Sequence, residues 1–130
     1  LAGFSRNLRN EVTNKAKYYF IDNGIRNALI AQFNGVDKRN DIGQLWENFI
    51  FIERLKHRTY NSIYANMYFW RTYDQQEIDL VEEHDGNLFG YEAKWSTGKT
   101  VAAPKNWIGG YPEAKFEAIT PENYQKFILS

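Results

Sequence analysis

The sequence contains no cysteine and 2 histidines. Disulfide frameworks, thiolate zinc sites, iron–sulfur clusters, cysteine nucleophiles and His-rich metal centres are thereby excluded. Any metal this chain holds is a hard ion bound through oxygen. No apolar run approaches the ~18 residues a membrane-crossing helix requires, so no membrane partner is expected. The opening Leu1-Ala2-Gly3-Phe4-Ser5-Arg6 lacks the charged-then-apolar layout of a secretory signal. It also lacks an initiator methionine, which predicts a fragment of a longer protein; a cytoplasmic origin is the expectation. Net charge is zero, which excludes a uniformly basic nucleic-acid-binding surface. Internal repeats and low-complexity tracts are missing as well.

What remains is 130 residues with 43% hydrophobic and 25% charged side chains. That balance describes one folded domain large enough to bury its own core. Aromatic residues make up 17%, enough for a thick core, a stacking surface, or both. Charge is unevenly spread. Residues 1–60 carry 10 Lys and Arg against 6 acidic residues, and residues 61–130 reverse those numbers. A basic side and an acidic spot on one domain follow from that pattern.

Residues 1–16 are polar and read as a linker or arm, leaving 17–130 as the domain. A short aromatic strand is expected at 17–21, closed by Asp22-Asn23-Gly24, then a short helix over 25–33 and a loop over 34–40. Asp41 suits an N-cap, with Gln44 three residues on as its capping-box partner. The helix it opens runs to about residue 58, with Leu45, Trp46, Phe49, Ile50, Ile52 and Leu55 as an apolar stripe. Strands are expected at 63–72, 77–83 and 88–95, then a helix over 102–110 and a strand over 115–120. Thr120 is placed to N-cap a last helix with Pro121 at its first position. The mixed order indicates an α/β domain with a central mixed sheet flanked by helices.

Asp85-Gly86 between two alternating segments is a strong hairpin signal. A two-residue turn there sets His84 opposite Asn87 and Glu83 opposite Leu88. It also sets Asp79 opposite Glu92 and Glu77 opposite Lys94. Opposed and alternate residues share a face. Glu77, Asp79, Glu92 and Lys94 are therefore expected on one face, with Ile78, Leu80, Phe89, Tyr91, Ala93 and Trp95 on the other, apolar one. Two carboxylates face to face repel; an amine relieves part of that, and a divalent cation relieves more. From 74 to 85 there are six acids and no Lys or Arg. A solvated sheet face with a surface ion pair is the plain alternative.

The spacing Asp79 … Glu92-Ala93-Lys94 resembles the PD-(D/E)xK nuclease signature, and Glu47 stands where that superfamily often carries a further Glu on the preceding helix. The wider pattern covers nearly the whole chain. Tyr18-Tyr19-Phe20-Ile21-Asp22-Asn23-Gly24-Ile25-Arg26-Asn27-Ala28, Gly43-Gln44-Leu45-Trp46-Glu47-Asn48, Phe69-Trp70-Arg71, Glu77-Ile78-Asp79 and Glu92-Ala93-Lys94-Trp95 together resemble one family. It is the C-terminal domain of unknown function of predicted bacterial and archaeal AAA-type ATPases. The resemblance implies a restriction-endonuclease-like fold and an ATPase module upstream. One departure is that Glu77-Ile78, without proline, precedes Asp79. The resemblance further implies that Asp79, Glu92 and the Ala93 carbonyl hold Mg²⁺ or Mn²⁺, that Lys94 orients water or steadies phosphate charge, and that Glu47 holds water or a second ion. The activity implied is hydrolysis of nucleic-acid phosphodiesters. The rival is a catalytically silent module of the same fold that binds nucleic acid or protein for the ATPase. A stand-alone defence or toxin-like nuclease is a third reading.

Ser96-Thr97-Gly98-Lys99-Thr100 imitates the end of a phosphate-binding loop. The first glycine of that motif would fall on Ala93, inside a strand, so no ATP site is expected in this fragment. His57 and His84 read as surface residues. Trp46, Phe49, Trp70 and Trp95 read as core. Trp107 and Tyr111 are open between core and base stacking. Arg6, Arg9, Lys15 and Lys17 form a basic stretch that reads as a solvated arm, with phosphate binding as the alternative.

Overall fold

The computed structural model describes residues 1–6, 11–13, 15–19, 42–96 and 101–130. The expected helix over 25–33, the loop over 34–40, the Asp41 cap and the phosphate-loop imitation at 97–100 lie outside these. Among the described residues the fold is mixed α/β. The elements are β1 (Ala2–Gly3), α1 (Ile42–Tyr60), β2 (Asn66–Arg71), β3 (Glu77–His84), β4 (Asn87–Ala93), α2 (Lys105–Gly110), β5 (Lys115–Ile119) and α3 (Tyr124–Leu129). The strands form one five-stranded sheet in the order β1-β2-β3-β4-β5. β1 runs parallel to β2, and the β2–β3 and β3–β4 pairs are antiparallel, so the sheet is mixed. No described helix is long and apolar enough to cross a membrane.

The chain divides into two compact units. The first comprises Leu1–Tyr18, Tyr64–Glu92 and Lys99–Ala118. Its core gathers Phe4, Trp70, Ile78, Val81, Trp107 and Tyr111. Trp107 meets Trp70 edge-on at 5.5 Å and Tyr111 at 4.9 Å. Both residues left open between core and stacking are thus core. α2 is anchored to the β2–β3 loop, where the Asn106 backbone N–H donates to Gln76 Oε1 at 2.9 Å.

The described residues among 1–16 differ from the expected arm. Ala2 and Gly3 pair with Tyr68 and Phe69, Ala16 bridges Ala2, and Glu11 bridges Thr72. Phe4, Glu11 and Val12 are buried. The physical reason lies in Glu11. Its carboxylate accepts hydrogen bonds from the Trp70 indole N–H, the Tyr111 hydroxyl, the Ser5 hydroxyl and the Arg6 backbone N–H. Four donors compensate the desolvation of a carboxylate that is only 5% exposed. The expected strand at 17–21 is not formed over its described residues 17–19, although Lys17 and Leu1 exchange backbone hydrogen bonds beside the Ala16–Ala2 bridge.

The second unit comprises Tyr19–Ile63, Ala93–Gly98 and Ile119–Ser130. Here α1 packs on α3. Phe51 meets Phe127 at 6.0 Å, and Trp46 meets Tyr124 at 5.3 Å and Trp95 at 5.5 Å. The Trp46 indole N–H donates to the Ile119 carbonyl at 3.1 Å. The buried stripe of α1 is rotated from the expected one. Leu55 is exposed, while Asn48 and Arg54 are buried. Arg54 is accepted because its guanidinium lies 4.0 Å from the Phe127 ring centre and donates to the Phe127 carbonyl and to Ser130 Oγ. α3 begins at Tyr124, later than expected. Thr120 and Pro121 instead form a turn in which the Asn123 side chain accepts the Thr120 N–H at 2.8 Å.

Candidate functional site

The β3–β4 hairpin turns at Asp85 and Gly86, whose φ values are 50° and 78°. Two successive positive φ angles define the type I′ reversal that suits the twist of the flanking strands. The register follows. His84 pairs with Asn87, Glu83 with Leu88, Glu82 with Phe89, Val81 with Gly90, and Leu80 with Tyr91. These are the pairs the turn predicts. Asp79 and Glu92 come next along their strands, at the end of the hairpin away from the turn.

The expected division into one charged and one apolar face is not kept. Ile78 and Val81 both enter the first unit's core, although strict alternation would set them on opposite faces. The β2–β3 register supplies the cause. Tyr68 pairs with Val81 but Trp70 pairs with Ile78, so a bulge sits between these pairs. Two residues, Asp79 and Leu80, fill a span that normally holds one. The parity argument for the Asp79 side chain therefore stops at the bulge. β3 is buried from Ile78 to Glu82, as a central strand should be, and that explains why Leu80 and Val81 are both apolar.

Asp79 is 8% exposed, and the Lys17 ammonium lies 3.5 Å from its Oδ1. Sequence reading missed Lys17 because it counted it with a solvated basic arm. Glu77 is exposed and pairs with Arg71, its register neighbour on β2, at 3.3 Å. Glu92 is half-buried. Glu82 is a further buried acid on β3, which the sequence reading only counted among the six acids of 74–85.

Glu47, Ala93 and Lys94 belong to the second unit. Glu47 lies in the second turn of α1 and accepts a hydrogen bond from the Tyr19 hydroxyl at 2.7 Å. The Tyr19 ring also meets Phe51 edge-on at 5.8 Å. A carboxylate fixed by a phenol on a packed ring has little freedom to swing. Ala93 closes β4, and the Lys94 backbone N–H donates to the Ile119 carbonyl at 2.9 Å. That bond holds the main chain on which the Lys94 side chain is mounted.

Among the described residues, no group of three or more His, Asp or Glu side chains is gathered closely enough to hold a metal ion. The hairpin end offers two carboxylates, Asp79 and Glu92. These are hard oxygen donors of the kind Mg²⁺ and Mn²⁺ accept, and an ammonium group already stands against one of them.

The fold is a mixed α/β sheet domain whose central hairpin carries the acidic residues. The chain belongs to the family described as "Domain of unknown function (DUF4143)", whose profile matches residues 42–121. Comparison with curated proteins and with solved structures gave no match.

Proposed function

We propose that this is a restriction-endonuclease-like, nuclease-type domain, carried in the cytoplasm at the C-terminal end of an AAA-type ATPase. It hydrolyses phosphodiester bonds of nucleic acid with Mg²⁺ or Mn²⁺. The observation that supports this most is the hairpin register, which runs as the turn demands up to the residues just before Asp79 and Glu92. Asp79 and Glu92, with the Ala93 carbonyl, hold the ion. Bound there, the ion supplies Lewis acidity, sharpening a water nucleophile and stabilising charge on the phosphoryl group. Lys94, two residues beyond Glu92, brings a positive charge that orients the attacking water or offsets phosphate charge. Glu47 holds a metal-bound water or a second ion, the role the resemblance implies.

Cleavage of end-labelled DNA and RNA oligonucleotides, with Mg²⁺ or Mn²⁺ titrated, tests the reading. Asp79→Asn and Glu92→Gln are each expected to lower the rate at least ~10³-fold, within the range of removing a main catalytic group. Unchanged cleavage by either variant would count against it. The Lys17–Asp79 pair favours one rival: a silent module of the same fold in which an ammonium permanently serves as the counter-charge. Absence of any ion response in binding and cleavage would select that rival.

A further inference from the structure

We infer that β5 is a self-complementary sheet border along which a second copy of this chain pairs antiparallel, with Phe116 facing Phe116 and Lys115 facing Glu117 across the axis. β5 (Lys115–Ile119) is the outermost strand on its side of the sheet, and no described strand pairs with its far side. The Ile119 carbonyl accepts the Lys94 N–H, just past the end of β4, at 2.9 Å, so the Ile119 backbone groups face β4. Backbone groups alternate in direction along a strand, which turns the N–H and C=O of Phe116 toward the border. The Phe116 ring packs against the first unit's core, and a Cβ on Gly90 would lie 3.4 Å from it. Lys115 and Glu117 occupy the opposite face of the strand and are exposed. The Lys115 ammonium stands 5.8 Å from the centre of the Phe89 ring, which holds it upright on the sheet.

Charges on a border strand usually keep other strands away. Here their order discriminates among registers instead. In a twofold pair that keeps both sheets facing the same way, the axis passes through one residue position. An axis at Lys115 opposes two ammonium groups, and an axis at Glu117 opposes two carboxylates. An axis at Phe116 opposes Lys115 to Glu117 twice and sets two half-buried rings directly across from each other. Opposite charges and aromatic rings both attract in that cross-strand position. The same register centres on the residue whose backbone groups face outward, so the two N–H···O=C bonds of a closely spaced pair form there. Charge, ring contact and hydrogen bonding therefore select one register. Because the strand is short, the dimer forms and dissociates with concentration.

Sedimentation equilibrium of the full chain over a concentration series tests this. The native chain should show a reversible monomer–dimer equilibrium. Lys115→Glu opposes carboxylates and Glu117→Lys opposes ammonium groups. Each should weaken the dimer about thirtyfold, the change of about 2 kcal/mol expected when two opposed ion pairs become two like-charge pairs. Both substitutions in one chain should restore it. Mixing the two single variants in equal amounts should also restore association, since each then meets its complement across the axis. Circular dichroism checks that every variant is folded. Should Lys115→Glu not fold, Glu117→Gln and Glu117→Lys carry the comparison, with the native dimer tightest, Gln intermediate and Lys weakest. A native chain that stays monomeric up to about 1 mM would overturn the inference. So would a dimer indifferent to the charge swaps, or single variants that fail to associate when mixed.

Discussion

Lys17 reaches across from the N-terminal segment to place its ammonium 3.5 Å from the carboxylate of Asp79 on the central strand. Both side chains are largely shielded, so the pair is worth more than a surface contact. In the absence of divalent ions, Lys17→Met and Asp79→Asn should each lower stability. A double-mutant cycle in urea should then return a favourable coupling of about 1 kcal/mol. Additive effects would show that the two groups do not interact in solution.

Glu11 is the acceptor on which the first unit converges. Replacing it by alanine strands the Trp70 indole N–H and the Tyr111 hydroxyl, both of which it now accepts. The expected loss is about 3 kcal/mol, from buried donors left without acceptors. Tyr111→Phe removes one donor and keeps the ring, so about 1 kcal/mol is expected. Urea unfolding followed by tryptophan fluorescence measures both. A larger effect for Tyr111→Phe than for Glu11→Ala would contradict the network.

Two glycines should respond to alanine for different reasons. At Gly3 a Cβ would fall 2.2 Å from the Val12 carbonyl oxygen. The backbones must separate there, and about 2 kcal/mol should be lost, as for overpacking. At Gly86 nothing lies within 4 Å, but φ is +78°. Only conformational strain of about 1 kcal/mol is expected there. Denaturant midpoints should rank Gly3→Ala below Gly86→Ala.

Asp74 carries a pH dependence that can be isolated. The Thr72 hydroxyl donates to its carboxylate, with help from its own backbone and from the Gln76 amide, and together these hold its pKa below the usual value of 3.8. A carboxylate lowered in the folded state adds stability above its unfolded pKa. That stability fades as pH falls below 3.8 and through the lower folded value. Carboxyl-carbon NMR titration should show Asp74 moving up toward the ordinary value in Thr72→Val. An unmoved titration would assign the effect elsewhere.

Local chemistry was legible in the sequence, and distant pairing was not. The Asp85-Gly86 reversal and the register from His84 to Leu80 follow from two adjacent residues and their flanking alternation. α1 follows from its length and its helical spacing of apolar residues. The β3 bulge did not show, because its evidence is the pairing of Tyr68 and Trp70 with a different strand. The pairing roles of Glu11 and Lys17 were hidden for the same reason. Each looks like solvated charge until β1 is laid beside β2. Arg54 was masked by its neighbour Leu55, which helical spacing alone assigns to the core and which proves exposed.

The two-residue β1 also shields what lies beneath it. Without it, β2 would become the border of the sheet, with Tyr68, Phe69 and Trp70 in a row and their backbone groups unpaired on one side. Such a border recruits strands from other molecules. A chain trimmed beyond Val12 is therefore expected to self-associate and fall out of solution, even where the rest of its core is intact.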